Sequence, residues 1–265
     1  MNPSWWSRVV FSAWVRPILL IGLLLVLWEL AILVFRIPPY LVPTPIAVVR
    51  QLVEEWPKLL RESMFTTYAT LGGFGLAIAF GIPMALLIAY SRTVESFVYP
   101  LLVFSQSVPK VAIAPLFVVW FGFGIIPKII AAFLLAFFPI VVATVVGFKS
   151  VERDMLDLAR SMKATRMQVF RRISLPQALP SIFGGLKVSV TLAVVGAVVG
   201  EFVGSNSGIG YVLQIANGNF DLPLMFAALT VLSFIGVLLF AGVDLVERMM
   251  IPWHVSQRSE FHATA

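Results

Sequence analysis

The stretch FKSVERDMLDLARSMKATRMQVFRRISLPQALP, Phe148–Pro180, holds seven of the chain's 19 Lys and Arg in 33 residues and lies between two long apolar runs. In a chain that is 60% hydrophobic and only 12% charged, such an island reads as a polar segment that leaves an apolar medium and returns to it. It follows Phe137-Phe138-Pro139-Ile140-Val141-Val142 and closes on Leu175-Pro176-Gln177-Ala178-Leu179-Pro180. It is therefore expected to be a loop between two membrane spans, and the part an aqueous partner can grip.

Outward from the island, six apolar stretches can be drawn: Pro17–Phe35, Met64–Tyr90, Phe97–Trp120, Pro127–Gly147, Ser181–Gly204 and Pro223–Glu247. Each supplies the ~20 residues that a spanning helix needs. The expected fold is an all-α integral membrane protein of six transmembrane helices, one domain over 1–265 with its core at about 64–248 and a loop at 148–180. Continuous runs of Leu, Ile, Val, Ala and Phe argue against a β-barrel, whose strands alternate over short segments. The first run is too long for a signal-peptide core and is followed by Arg36-Ile37-Pro38-Pro39-Tyr40, not by a small-residue cleavage site, so it reads as a retained helix.

Basic residues set the orientation. With the amino terminus inside, the cytoplasmic segments hold Arg8, Arg16, Arg92, the seven of the island, Arg248 and Arg258, twelve in all, while Arg36, Arg50, Lys58, Arg61 and Lys128 make five outside. The positive-inside rule then puts both termini and the island in the cytoplasm. The net charge of +6 follows from that asymmetry and from contact with anionic inner-leaflet lipids, and requires no nucleic acid. Cysteine is absent and both histidines, His254 and His262, follow the last apolar run, which removes thiolate chemistry, disulfides and a buried imidazole ligand or base.

Within the island, Met155, Leu158, Ala159 and Met162 fall at i, i+3, i+4 and i+7, one apolar stripe on a short helix. Asp154 and Asp157 stand in its first turn, where the positive helix end favours carboxylates. Thr165 followed by Gln168 is a capping-box pattern that starts a second helix with Met167, Phe170 and Ile173 on its apolar face. Two short helices with a bend at Lys163-Ala164 are expected. Between the first and second spans, Ile46–Leu60 has helical amphipathic spacing. It suits either a helix at the outer interface or one packed on the bundle.

The spacing Asp157-Leu158-Ala159, three residues, Lys163, nine residues, Ile173, one residue, Leu175-Pro176 resembles the EAA loop of ATP-binding-cassette (ABC) importer permeases. The residues depart from it at the Glu-Ala-Ala triplet and at the bend, where that family prefers Gly. Ala114-Pro115-Leu116, Trp120-Phe121-Gly122 and Ser205-Asn206-Ser207-Gly208-Ile209-Gly210-Tyr211 are similar to the sulfonate, taurine and nitrate branch, and the likeness covers about Thr44–Trp253.

The resemblance implies a non-catalytic permease subunit in a bacterial cytoplasmic (inner) membrane, passing a small polar or anionic solute: sulfonate-, taurine- or nitrate-like, or a pyrimidine-type vitamin precursor. It implies coupling to an ABC ATPase dimer through Asp157, Leu158, Ala159, Met162, Lys163, Ala164, Thr165, Gln168, Leu175 and Pro176. An extracytoplasmic substrate-binding protein is then expected to act near Asn206, Ser207, Gly208 and Gly210, in a mobile outward-facing loop Ser205–Leu222. In the resembled family the bend carries Gly, which accepts a left-handed conformation; either Lys163 takes that conformation at a strain of roughly 1 kcal/mol, or the bend is drawn differently here. The chain has no Gly-x-x-x-x-Gly-Lys-Ser/Thr loop, so no cofactor is assigned to it, and ATP with Mg belongs on the partner. No internal repeat is evident, which favours a second copy completing the pathway about a two-fold axis.

Ionisable groups at membrane depth are costly and mark candidate sites. Lys110, expected near the middle of the third helix after Pro109, and Glu201, near the outer end of the fifth between Gly200 and Gly204, are translocation candidates with Ser107 and Pro115. Glu29 reads as a bundle contact, and Asp244 and Glu247 as solvated ends. Two other classes compete. Ser107-Val108-Pro109-Lys110 fits the Ser-x-x-Lys pattern of a Ser-Lys hydrolase, although no oxyanion hole is identifiable. An ATP-independent channel leaves the double-helix island unexplained.

Overall fold

The computed structural model describes residues 15–38 and 40–252; Arg8, Arg258, His254 and His262 lie outside them. Every regular element among the described residues is helical. In chain order these are α1 Val15–Phe35, α2 Pro45–Glu54, α3 Trp56–Tyr90, α4 Arg92–Ser107, α5 Lys110–Phe121 and α6 Ile125–Lys149. They are followed by α7 Arg153–Ser161, α8 Arg166–Val169, a π turn Phe170–Ser174, α9 Leu175–Gly204, α10 Ile209–Gly218 and α11 Leu222–Met250.

Among the described residues, four helices are long and apolar enough to cross a membrane: α3, α6, α8 continued through α9, and α11. The expected third span, Phe97–Trp120, is corrected to a bent pair, α4 and α5, meeting at 93°. Val108 and Pro109 are both extended at the corner. Proline has no N–H to continue the helix and disfavours helical geometry in the residue before it. The expected outer helix Ile46–Leu60 is also broken: α2 stops at Glu54 and Trp56 already belongs to the 35-residue α3. Of the two readings for α2, packing on the bundle holds, since Val48 is buried with Leu59, Leu213 and Leu224, although Val49 and Val53 stay exposed.

The centre is α6 held between α3 and α9 by small residues. A Cβ on Gly73 would lie 2.4 Å from that of Ala132, one on Gly185 would lie 2.4 Å from that of Ala143, and one on Gly196 would lie 2.6 Å from the Ala131 carbonyl and the Ala132 Cα. Gly147 and Gly200 make similar approaches to Ala178 and Lys128. Between apolar helices there is little hydrophobic drive in lipid, so this close backbone fit supplies the association. Phe74, Ile140, Phe183 and Val190 fill the remaining space. α1 stands apart: Leu19–Leu27 are largely exposed, and its contact with the rest includes Trp28 against Phe226 of α11 at 5.7 Å.

Asp244 and Glu247 are corrected from solvated ends to partners of Lys187. The Lys187 ammonium on α9 lies 2.5 Å from Asp244 and also bonds Glu247, which is buried. Glu29 is half-buried, and its Oε2 has no hydrogen-bond partner among the described residues.

Gly196→Ala is expected to force α9 off α6 and lower stability by about 1–3 kcal/mol, whereas Gly184→Ala, which meets nothing within 4 Å, leaves it unchanged. Thermal unfolding of the two purified variants in the same detergent checks this, and equal midpoints would refute the close-packing account.

Candidate functional site

The island folds as its local sequence dictates. α7 ends on the backbone bonds Lys163 N–H to Arg160 C=O at 2.9 Å and Ala164 N–H to Ala159 C=O at 3.0 Å. These are the paired bonds of a Schellman cap, which needs a left-handed residue after the C-cap. Lys163 occupies that position at φ 53°, so the bend keeps its shape without glycine. Thr165 Oγ1 then accepts from the Gln168 N–H at 3.3 Å, and Gln168 Oε1 accepts from the Thr165 N–H at 2.7 Å, closing the capping box. The second helix is not a free short one, however. It runs through the π turn into α9, so that Arg166–Gly204 is one 39-residue helical path. Pro176 is the reason: it cannot donate to a carbonyl one turn back, and the wider turn, with Leu175 N–H bonded to Phe170 C=O, accommodates the gap.

The two faces of α7 differ. Met155, Leu158 and Met162 form an exposed apolar row, at 46%, 63% and 75% exposure, while Ala159 is buried against the body. The expected four-residue stripe therefore splits: three residues point outward and Ala159 is a packing residue. The opposite face, with Arg153, Leu156 and Arg160, lines a cavity shared with Ala89, Tyr90, Phe148 and Phe170. Phe170 stacks on Phe148 at 5.9 Å and 10°, and Tyr90 sits 6.0 Å and 6.3 Å from these two rings. Tyr90 ends α3, Phe148 is next to last in α6, and Phe170 opens the π turn, so one aromatic group ties the loop to both helices.

At the opposite end of the same helices lies a buried polar clamp. Glu201 on α9 is fully buried; its carboxylate accepts from the Gly210 N–H at 2.7 Å and from Thr66 Oγ1 at 2.9 Å, with the Lys128 ammonium 3.9 Å away. Thr66 Oγ1 in turn accepts from the Ile209 N–H at 2.8 Å, and Glu62 Oε2 accepts from the Gly208 N–H at 2.8 Å. Lys128 donates to the Ser207 carbonyl at 2.7 Å and hydroxyl at 3.0 Å. Three helices thus hold the 205–210 segment by its backbone. Gly208, at φ 104°, could carry no side chain, because a Cβ would lie 2.0 Å from Glu201 Oε1.

The mobile loop expected over Ser205–Leu222 is corrected accordingly: Ile209–Gly218 is a helix whose Ile209, Val212, Leu213 and Ala216 are buried. Asn206 alone of 205–210 is exposed. Glu62, Thr66 and Lys128 are the residues that sequence reasoning missed. The signal for Glu62 and Thr66 was the spacing Glu62, Thr66, Thr70, Gly73, Ala77, Gly81, one buried face on α3; Lys128, on α6, had no such pattern.

The other pathway candidates do not gather at the clamp. Lys110 is corrected from mid-helix to the first residue of α5, half-buried and without an ion pair or hydrogen bond to its ammonium among the described residues; Ser107, Pro109 and Pro115 are exposed. No hydrogen bond joins Ser107 to Lys110, so the geometry offers no Ser-Lys dyad.

A long multi-helix bundle with a capped double-helix loop at one end and a buried polar clamp at the other defines a membrane transport component. The chain belongs to the family described as "Binding-protein-dependent transport system inner membrane component", which matches residues 77–252. It is 42% identical over 248 residues to the formylaminopyrimidine transport permease protein ThiX of Halalkalibacterium halodurans, covering 91% of this chain and 97% of that one. It is 37% identical to the riboflavin transport system permease protein RibX of Chloroflexus aurantiacus, covering 88% of each, and 30% identical to the putative aliphatic sulfonates transport permease protein SsuC of Bacillus subtilis, covering 92% and 89%. Among solved structures, an inward-facing MetNI methionine ABC transporter chain superposes with a TM-score of 0.60 at 20% identity, covering 72% of this chain and 95% of that one.

Thr66→Val keeps the shape of the side chain but leaves the buried Ile209 N–H without an acceptor, at a cost of about 1–3 kcal/mol. If the clamp then opens locally, a cysteine introduced at Ile209 is expected to react with a thiol reagent about 5- to 150-fold faster in the Thr66→Val background. An unchanged labelling rate would show that the clamp does not hold the segment.

Proposed function

We propose that this chain is the transmembrane subunit of an ABC importer, performing no covalent chemistry and passing a solute as two ATPase subunits open and close. Two copies of one permease domain pair about a two-fold axis along the membrane normal, each with six spans: the four long helices, the bent α4–α5 pair and α1. Both termini and the α7–α8 loop face the cytoplasm of a bacterial inner membrane. ATP and Mg sit on the ATPase, and this chain binds no cofactor. A substrate-binding protein docks at the clamp end, around Asn206.

The observation that carries the reading is the row Met155, Leu158 and Met162, exposed on a loop whose own backbone is fixed by two caps and the aromatic group. A row of apolar side chains on a rigid helix suits insertion into a groove on a partner. Because Ala159 is buried, its replacement would disturb the loop itself; Leu158 and Met162 test docking cleanly. Leu158→Asp with Met162→Asp is expected to abolish copurification with the co-encoded ATPase and uptake, with membrane insertion and thermal midpoint unchanged. Retained copurification would reject the docking face.

For the cargo, the 42% identity with ThiX over almost its whole length supports a pyrimidine-type vitamin precursor. A sulfonate-like anion is a second reading, favoured by the half-buried, unpartnered Lys110 beside the α4–α5 corner. Lys110→Met separates them: uptake is expected to fall at least about tenfold if the charge offsets an anion in transit, and to persist if the cargo is a neutral ring. Ser107→Ala in parallel is expected to transport normally; loss of uptake in that variant together with a peptide-cleaving activity in the parent would revive the hydrolase.

A further inference from the structure

The cavity between α7 and the ends of α3 and α6 has a volume of about 990 Å³, and its lining includes Arg92, Lys149, Arg153, Arg160 and Arg166 but no Asp or Glu. Two of the five cations are already neutralised: Lys149 bonds Glu95, and Arg160 lies 2.9 Å from Asp157. Arg92, Arg153 and Arg166 have no carboxylate partner among the described residues. They come from three different elements, the start of α4, the start of α7 and the start of α8. Like charges are thereby collected around one concavity with no internal counter-charge. Such an arrangement raises the local concentration of anions.

The place of the cavity selects the kind of anion. Tyr90 is the last residue of α3 and Lys149 the last of α6, so it opens at the level where two spanning helices end. Its wall carries the Tyr90, Phe148 and Phe170 rings, and Tyr is a residue type that sits at headgroup depth. The row Met155, Leu158 and Met162 points to the other side of α7, so an occupant here does not compete for that face. Guanidinium groups match phosphate oxygens in a fixed two-pronged geometry.

We propose that this cavity binds the phosphodiester headgroup of an anionic phospholipid, held by Arg92, Arg153 and Arg166 with the aromatic group beneath it. The site rests on the reading of α3 and α6 as spans whose ends here meet the cytoplasmic leaflet. Its role is positional: a headgroup bridging α4, α7 and α8 adds a contact between the loop and the bundle that the chain does not make for itself.

The test uses the permease with its ATPase in bilayers of phosphatidylcholine, with and without phosphatidylglycerol, followed by native mass spectrometry of the retained lipid. Retention of phosphatidylglycerol over phosphatidylcholine is expected, weakening with added salt. The triple variant Arg92→Gln, Arg153→Gln, Arg166→Gln is expected to lose at least about tenfold in apparent affinity. The corresponding triple Lys variant keeps the charge and is expected to stay within a few-fold of the parent. Leu158→Asp is expected to lose the ATPase while keeping the lipid, so failure of coupling and failure of the lipid site read out separately. Equal retention by the parent and the Gln variant would overturn the site. So would salt-independent retention, which decides the matter even if the Gln variant does not assemble. Displacement by soluble glycerophosphoglycerol as readily as by phosphatidylglycerol would overturn the membrane source in favour of a free phosphate ester. Loss of ATPase copurification in the Gln variant with lipid retention unchanged would assign the cavity to the ATPase instead.

Discussion

Backbone contact between α6 and its two neighbours is the constraint on which the rest depends. Gly73 on α3 and Gly185, Gly196 and Gly200 on α9 leave no room for a side chain against α6, so the three helices behave as one body. That body reaches both ends of the molecule. Lys128 and Phe148 lie twenty residues apart on α6, about 30 Å at helical rise, close to the thickness of a bilayer's hydrocarbon core. The buried clamp grows from one end of this body and the aromatic group from the other. If the helices were spaced by Leu or Ile, neither Glu201 to Thr66 nor Phe148 to Phe170 would be within reach.

What was legible in the sequence was what local chemistry alone decides. Thr165 and Gln168 predict a cap because both partners lie within one turn; whether Lys163 takes the left-handed position or the bend is drawn differently is decided only by the structure, where the paired backbone bonds hold it at φ 53°. The apolar runs give the long helices for the same reason, since length and hydropathy are properties of a contiguous segment. Continuity was harder. Pro176 reads as a stop, yet a π turn absorbs it and the helix goes on; Pro83, Pro100, Pro115, Pro139 and Pro180 stand inside helices that continue through them, whereas Pro109 turns the chain. The difference lies in whether neighbours can supply the freed backbone groups, which the chain's one-dimensional pattern does not record.

The clamp was the least legible part. Glu201 was visible as a charge in an apolar run, but its Thr66 partner is 135 residues away, and Lys128 was counted as an outside charge. A buried carboxylate near a single cation at 3.9 Å is weakly compensated by that cation alone; two backbone or hydroxyl donors make up the rest. Such a group contributes less to net stability than to specificity of arrangement, because taking charges out of water offsets much of their attraction. Here the arrangement it specifies is the path of residues 205–210, and the long-range pairing that defines it appears only after folding.

The position of the π turn bears on how the two ends work together. A π turn is a wide, under-stabilised piece of helix, and between the capped α7–α8 pair and α9 it would by itself be where a push on the loop is absorbed. Phe170 prevents this. As the first residue of that turn it stacks flat on Phe148 and sits against Tyr90, so displacement of the loop is passed sideways to the ends of α6 and α3 before the turn can yield. Those two helices carry Lys128 and Thr66 at their far ends, and α9 carries Glu201. On the proposed function, a movement of the partner ATPase therefore reaches the clamp through three closely packed helices, and that path ends on the hydrogen bonds to residues 207–210.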